Sequence, residues 1–106
     1  MATSPIVAGT IDFPTYTVTT PGTAQQFSNI IIPDGFKVTF KNRLSNAGNF
    51  YLANTAADAI SSSGDRKTLE PGESVTLEIA NLNLLYRDAD NATDRLEVTL
   101  LQATVV

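Results

Sequence analysis

The densest concentration of chemically capable side chains is Asp88-Ala89-Asp90-Asn91-Ala92-Thr93-Asp94, three carboxylates and an amide oxygen within seven residues. Hard oxygen ligands are what Ca²⁺ selects, so Asp88, Asp90 and Asp94 form a candidate metal-ligating set. The run lacks the central glycine and terminal glutamate of a helix-loop-helix calcium loop. Solvated turn residues, with Asp and Asn bonding the local backbone, are therefore the preferred reading, and no metal or other cofactor is expected. Asn91-Ala92-Thr93 also spells a glycosylation acceptor, a three-residue pattern that is common by chance and matters only on a secretory route.

Catalytic options are few. The chain has no Cys, His or Trp, which removes the thiol nucleophile, the usual general base near neutral pH, the commonest metal ligands and the indole platform of many sugar-binding modules. Paired carboxylates would have to come from Glu70, Glu73, Glu78 or Glu97. Glu78 and Glu97 alternate with apolar residues and so point to water, where nothing raises a pKa for acid catalysis. Ser61-Ser62-Ser63 has no base partner and reads as loop. The expectation is a protein that is not an enzyme.

Binding chemistry is scarcely richer. Tyr16, Tyr51 and Tyr86 can stack on a sugar or anchor an interface, although rings closing the domain edges with wet hydroxyls explain them as well. Lys37, Lys41 and Arg43 alternate along one segment as a modest basic stripe suited to an acidic partner. With a net charge of −4 and the seven basic residues scattered, no face is expected to neutralise nucleic-acid phosphates. Met1 to Val7 lacks the basic start and apolar run of a signal peptide, and no apolar stretch approaches ~18 residues. A soluble protein made in the cytoplasm, with no membrane partner, is expected.

The elements that must position these residues follow from alternation. Phe36-Lys37-Val38-Thr39-Phe40-Lys41, Ser74-Val75-Thr76-Leu77-Glu78-Ile79 and Arg95-Leu96-Glu97-Val98-Thr99-Leu100 each place apolar residues on one face and polar ones on the other. One wet face per strand implies antiparallel sheets packed face to face. The predicted core is Phe36, Val38, Phe40, Leu52, Val75, Leu77, Ile79, Leu96, Val98 and Leu100. Tyr16 to Thr20 and Ala24 to Ile32 read as further strands, with Phe27 and Ile30-Ile31-Ile32 as additional core candidates. Pro21-Gly22, Pro33-Asp34-Gly35 and Pro71-Gly72 mark turns, and Asn54 to Lys67 is the longest loop, with one helical turn predicted over Thr55 to Ile60. Seven or eight short strands at this spacing specify an all-β, antiparallel β-sandwich or jelly-roll-like single domain. Residues 15–106 form that domain. Residues 1–14, with two prolines, read as an extended N-terminal arm or a short edge strand, and Ile6, Val7, Ile11 and Phe13 are its candidate partner-binding residues, together with Lys37, Lys41 and Arg43.

Three segments follow one another in order: Gly48-Asn49-Phe50-Tyr51-Leu52, Leu69-Glu70-Pro71-Gly72-Glu73-Ser74-Val75-Thr76-Leu77, and Asn81-Leu82-Asn83-Leu84-Leu85-Tyr86-Arg87-Asp88-Ala89. Over about residues 24–101 the chain resembles small all-β virion structural proteins of tailed bacteriophages. The resemblance implies a capsid decoration or cement protein, or a related head or tail accessory, localised in the virion. Its implied partner is the major capsid protein or another virion protein, and its implied assembly is a homo-oligomer, with a trimer favoured. The rival expectations are a carbohydrate- or host-surface-binding module and a tail or connector subunit on the same sandwich.

Overall fold

The structure is a computed structural model that describes residues 10–12 and 15–102. Among these residues eight strands occur in chain order: β1 (Thr10–Asp12), β2 (Gln25–Gln26), β3 (Phe36–Asn42), β4 (Phe50–Ala53), β5 (Lys67–Leu69), β6 (Ser74–Leu77), β7 (Tyr86–Ala89) and β8 (Leu96–Gln102). One short helix, α1 (Ala56–Ile60), follows β4, and a 3₁₀ turn over Leu82–Leu84 precedes β7. The strands form two four-stranded sheets, β1-β8-β3-β6 and β2-β7-β4-β5, in which all pairs are antiparallel.

That order is a jelly roll. β1 pairs with β8, β2 with β7, β3 with β6 and β4 with β5, so the chain is one long hairpin whose tip carries α1. Rolling the hairpin adds the β3–β8 and β4–β7 ladders and lays the two sheets face to face. Three turns set the bends. Thr23, Phe36 and Glu73 donate their N–H groups to the carbonyls of Thr20, Pro33 and Glu70, and Gly22, Gly35 and Gly72 at the third turn position take φ of +90°, +85° and +89°. Those values suit glycine, and a β-carbon there would be strained.

The alternation holds where both sheets overlap. Val38, Phe40, Leu52, Leu96, Val98 and Leu100 are buried as predicted, in a core completed by Tyr16, Val18, Phe27, Ile32, Phe50, Leu69, Leu82, Leu85 and Ala89. Phe36, Val75, Leu77 and Ile79 face the same way but are only half-buried, because β6 is an edge strand and Phe36 lies at an open end. Ile31 departs further. The expected strand over residues 24–32 contracts to Gln25–Gln26, after which the chain leaves its sheet to meet residues 80–82, where Leu82 N donates to Ile30 O and Ile32 N to Ala80 O. Ile32 is buried by this crossing, and Ile31 is left 76% exposed. Tyr16 to Thr20 likewise contributes a single bridge, Tyr16 to Leu96, rather than a strand.

The helical turn over residues 55–60 forms as its sequence predicts, with the Thr55 hydroxyl accepting from Asp58 N at 3.2 Å as an N-cap. Of the proposed arm, Thr10–Asp12 runs antiparallel to β8 as an edge strand, so Ile11 occupies a sheet position. Ile6, Val7 and Phe13 lie outside the described residues.

Leu96 is fully buried between the sheets, whereas Leu77 is partly open to solvent. Leu96→Ala is therefore expected to cost about 2–5 kcal/mol in urea unfolding, and Leu77→Ala less than about half as much. Equal losses would show that the edge strand is as deeply packed as the centre.

Candidate functional site

The acidic run is a set of staples rather than a solvated turn. Asp88 and Asp94 are buried, contrary to the reading of them as wet turn residues. Asp94 Oδ1 and Oδ2 accept from the N–H groups of Ala47 and Gly48 at 3.1 and 2.9 Å, and Asp88 Oδ1 accepts from Gly22 N at 2.9 Å. Asp90 accepts from Asn49 N at 2.9 Å and from the Tyr51 hydroxyl at 2.7 Å. Tyr51 and Asp88 are cross-strand partners on the β4–β7 ladder. Asp94 and Asp90 thus hold the backbone of residues 47–49 and Asp88 that of Gly22, and among the described residues no three acidic side chains converge as a metal cluster. Asn91 of the sequon donates to Asp94 Oδ2 at 3.3 Å and so belongs to the same lattice.

Asn42 anchors this end of the domain. Its side chain, fully buried, donates to Gly48 O at 3.0 Å and Leu69 O at 2.8 Å and accepts from Asn46 Nδ2 at 2.6 Å. Gly48 must be glycine here, since a β-carbon would sit 2.6 Å from Asn91 Nδ2 and 2.7 Å from Asp90 Cβ. Asn42 breaks the hydropathy alternation, a polar residue at the inward position that follows Phe36, Val38 and Phe40, and that mismatch is the one sequence signal that points to it.

The tyrosines separate. Tyr16 is buried and meets Phe27 edge-on at 4.9 Å, so its ring does not close a wet edge. Tyr51 is half-buried, with the Arg66 guanidinium 3.7 Å from its ring centre. Burial pushes the Tyr51 phenol above its ordinary value of 10.0, helped by the Asp90 hydrogen bond and charge, with Asn49 and Arg66 opposing. Tyr51 therefore does not present a bare stacking platform, and Tyr86 is half-buried on β7.

Arg87 is a buried cation that sequence reading assigned only to the scattered basic set. In register with inward Leu52, it is 7% exposed and lies against Tyr16 and Phe27, its guanidinium carbon 4.8 and 4.9 Å from their ring centres. Its Nε donates to Thr17 O at 2.9 Å and Nη1 to Gln26 O at 3.1 Å. Burial pulls this guanidinium down from its ordinary value, the Tyr16 phenol opposing. Two carbonyls from segments that leave the sheet early thereby gain donors, a role that needs the planar fork of arginine.

The Lys37, Lys41 and Arg43 stripe lies on the outward side of the β1-β8-β3-β6 sheet, but acids interleave with it. Lys37 Nζ is 3.5 Å from Glu78, Arg43 Nε is 2.8 Å from Glu97, and Lys41 is in register with Glu97 on one side and Ser74 on the other. Between these charges runs a row of threonines, Thr99, Thr39 and Thr76, the last two hydroxyls 2.9 Å apart. Lys41, Arg43, Leu44, Ser45 and Glu97 border an open depression of about 460 Å³. Among the described residues the most exposed large apolar side chains are Leu44 at 79% and Ile31 at 76%, with Leu84 at 53%. Among the described residues no helix is long and apolar enough to cross a membrane. The described surface thus offers a polar outward sheet face and a few exposed apolar side chains. No protein-family model, curated protein or solved structure matches the chain.

Two outcomes follow from these placements. The phenol of Tyr51 should titrate above 10.0, detected as the phenolate absorbance lost in Tyr51→Phe, and Asp90→Asn should bring it down. Because the folded value is the raised one, the associated stability is present below the unfolded pKa and is lost as pH climbs through the folded one. Arg87→Ala should lower unfolding stability by about 2–4 kcal/mol by leaving the Thr17 and Gln26 carbonyls without donors, and Arg87→Lys should recover less than half of it. An unchanged urea midpoint for Arg87→Ala would show those carbonyls to be solvated.

Proposed function

We propose that the chain is a non-enzymatic structural protein of a tailed-phage virion that decorates or cements the capsid through protein–protein contacts. The observation that carries this reading is the use made of the reactive side chains. Asp88, Asp90, Asp94, Asn42 and Arg87 are all engaged in holding backbone, which leaves contact area as what the molecule offers. The three segments on which the resemblance to virion proteins rests also fall on successive parts of one frame. They form β4, then β5, its turn and β6, then the 3₁₀ turn and β7. The jelly roll is used by viral capsid domains and by lectins, a fold-level analogy that is compatible with the reading and does not by itself select it. Between those two uses, the guanidinium stacked on Tyr51 favours the contact role over a sugar platform.

The partner in this reading is the major capsid protein or another virion protein, with the assembled virion as the location. A segment preceding β1 can span roughly 3.3 Å per residue, so residues 1–9 would reach about 30 Å across a neighbouring subunit. Ile6 and Val7 would have to offset the entropy of ordering it. Removing residues 1–9 while keeping β1 should leave the domain folded and weaken co-sedimentation with capsids that lack the protein by at least about tenfold. Unchanged binding would remove the arm from the mechanism. Failure of the full chain to bind any capsid, with a hit on a glycan array, would replace the capsid reading with the carbohydrate-binding one.

A further inference from the structure

Both edges of the β2-β7-β4-β5 sheet are blunted: β5 is three residues long and β2 is two. Exposed Lys67 of β5 sits in register with inward Leu52, and a charge on the inward side of an edge discourages strand addition. β6 is different. Its four residues alternate exposed and half-buried, and Val75, Leu77 and the following Ile79 pack on the core without being fully covered.

The direction of its peptide groups can be read from the ladder. Asn42 N donates to Glu73 O at 3.0 Å, so Glu73 faces β3, and by antiparallel alternation Val75 and Leu77 do too. The N–H and C=O groups of Ser74, Thr76 and Glu78 therefore turn outward, and no turn or loop hydrogen bond among the described residues engages them.

We propose that this edge is a two-fold self-association site at which β6 of a second copy adds antiparallel about Thr76, joining two β1-β8-β3-β6 sheets into one of eight strands. Sequence parity and charge choose this occupant and this register. Thr76 meets its own counterpart, Val75 meets Leu77 of the partner subunit on the inward side, and Ser74 meets Glu78 of the partner subunit on the outward side. Lys41 is exposed and in register with Ser74, so the short serine lies between it and the incoming carboxylate. The outward row then reads Glu97, Lys41, Ser74, followed by Glu78 and Lys37 of the partner subunit, with charges alternating across the join. The Glu78 side chain, 75% exposed and 3.5 Å from its own Lys37, has room to be shared in this way. Slipping the pairing by two residues would set Glu73 against Leu77 of the partner subunit, or Thr76 against Glu78 of the partner subunit, and lose the Lys41 contact. The two-fold pairing does not rest on the virion reading, and it differs from the trimer that the phage resemblance implies.

Sedimentation equilibrium of the full chain at low ionic strength tests it. The mass should rise with concentration from 11.3 kDa towards twice that value. Thr76→Pro removes an outward N–H that β3 does not use, so the monomer should stay folded while self-association falls at least about tenfold. Glu78→Lys should weaken association by about tenfold, since the two-fold axis doubles each charge effect, and Lys41→Glu with Glu78→Lys should restore it to within about threefold. A chain that stays monomeric at all concentrations overturns the proposal. So does a dimer or trimer that neither substitution weakens. Should Thr76→Pro unfold by circular dichroism, the charge pair decides alone, and an unaltered assembly in Glu78→Lys refutes the site.

Discussion

The fold depends on a buried amide that ties the two sheets together. The sheets have no backbone ladder in common, and their apolar faces are non-directional, so the core by itself does not fix how the ends close. Asn42, the last residue of β3 in one sheet, donates to Leu69 O at the end of β5 in the other, and to Gly48 O in the loop that leads to β4. Its own backbone N–H reaches Glu73 O and its carbonyl accepts from Gly72 N. One residue, through its side chain and its backbone, therefore joins β3, β5, the loop to β4 and the turn to β6. Leaving such groups unpaired in the interior would cost about 1–3 kcal/mol each, and no fully buried side-chain N or O among the described residues lacks a partner.

The carboxylates extend this logic. Asp94 and Asp90 hold the loop of residues 47–49 from the β7–β8 turn, while Asp88 holds the turn at Gly22 from within β7. Bonds from backbone N–H to an ionised carboxylate are the stronger kind, which suits loops that are long and poor in apolar residues. Arg87 does the complementary work, supplying donors to carbonyls at Thr17 and Gln26 where the chain departs from sheet geometry. In this molecule the charged groups of the β7 region are architectural, and among the described residues the outward sheet face, the β6 edge and several apolar side chains of the loops stay open to solvent.

The jelly roll also explains why the two ends differ. The end near Asn42 is laced by Asn46, Asp90 and Asp94, whereas at the other Phe36 and Ile79 remain half-covered beside a depression of about 270 Å³. Thr10 of β1 pairs with Leu101 towards that second end. Because the paired strands are far apart in sequence, with β1 joined to β8, closure entropy must be met before the long-range ladders form, and slow folding is the expected consequence.

The sequence by itself determined the strands with one wet face, because alternation is a local property with a period of two. Val38-Thr39-Phe40 and Leu96-Glu97-Val98 could be assigned inward and outward sides from their own order, and the three Pro/Gly turns from the φ that glycine permits. The helical turn capped by Thr55 was legible for the same local reason. Tertiary structure alone decided depth and destination. Leu77 and Leu96 carry the same signal, and only the position of β6 at an edge makes one half-open. Ile31 reads as core until the chain crosses to Asn81 and turns it outward. Asp88 and Asp94 read as wet until the rolled hairpin brings Gly22, Ala47 and Gly48, distant in the chain, to their oxygens. Arg87 was legible only as one charge among seven, since its burial depends on two carbonyls about 60 and 70 residues away. Hydrogen-bond partners at such separations leave no periodic trace, which is why the frame could be read in advance and the lacing that holds it could not.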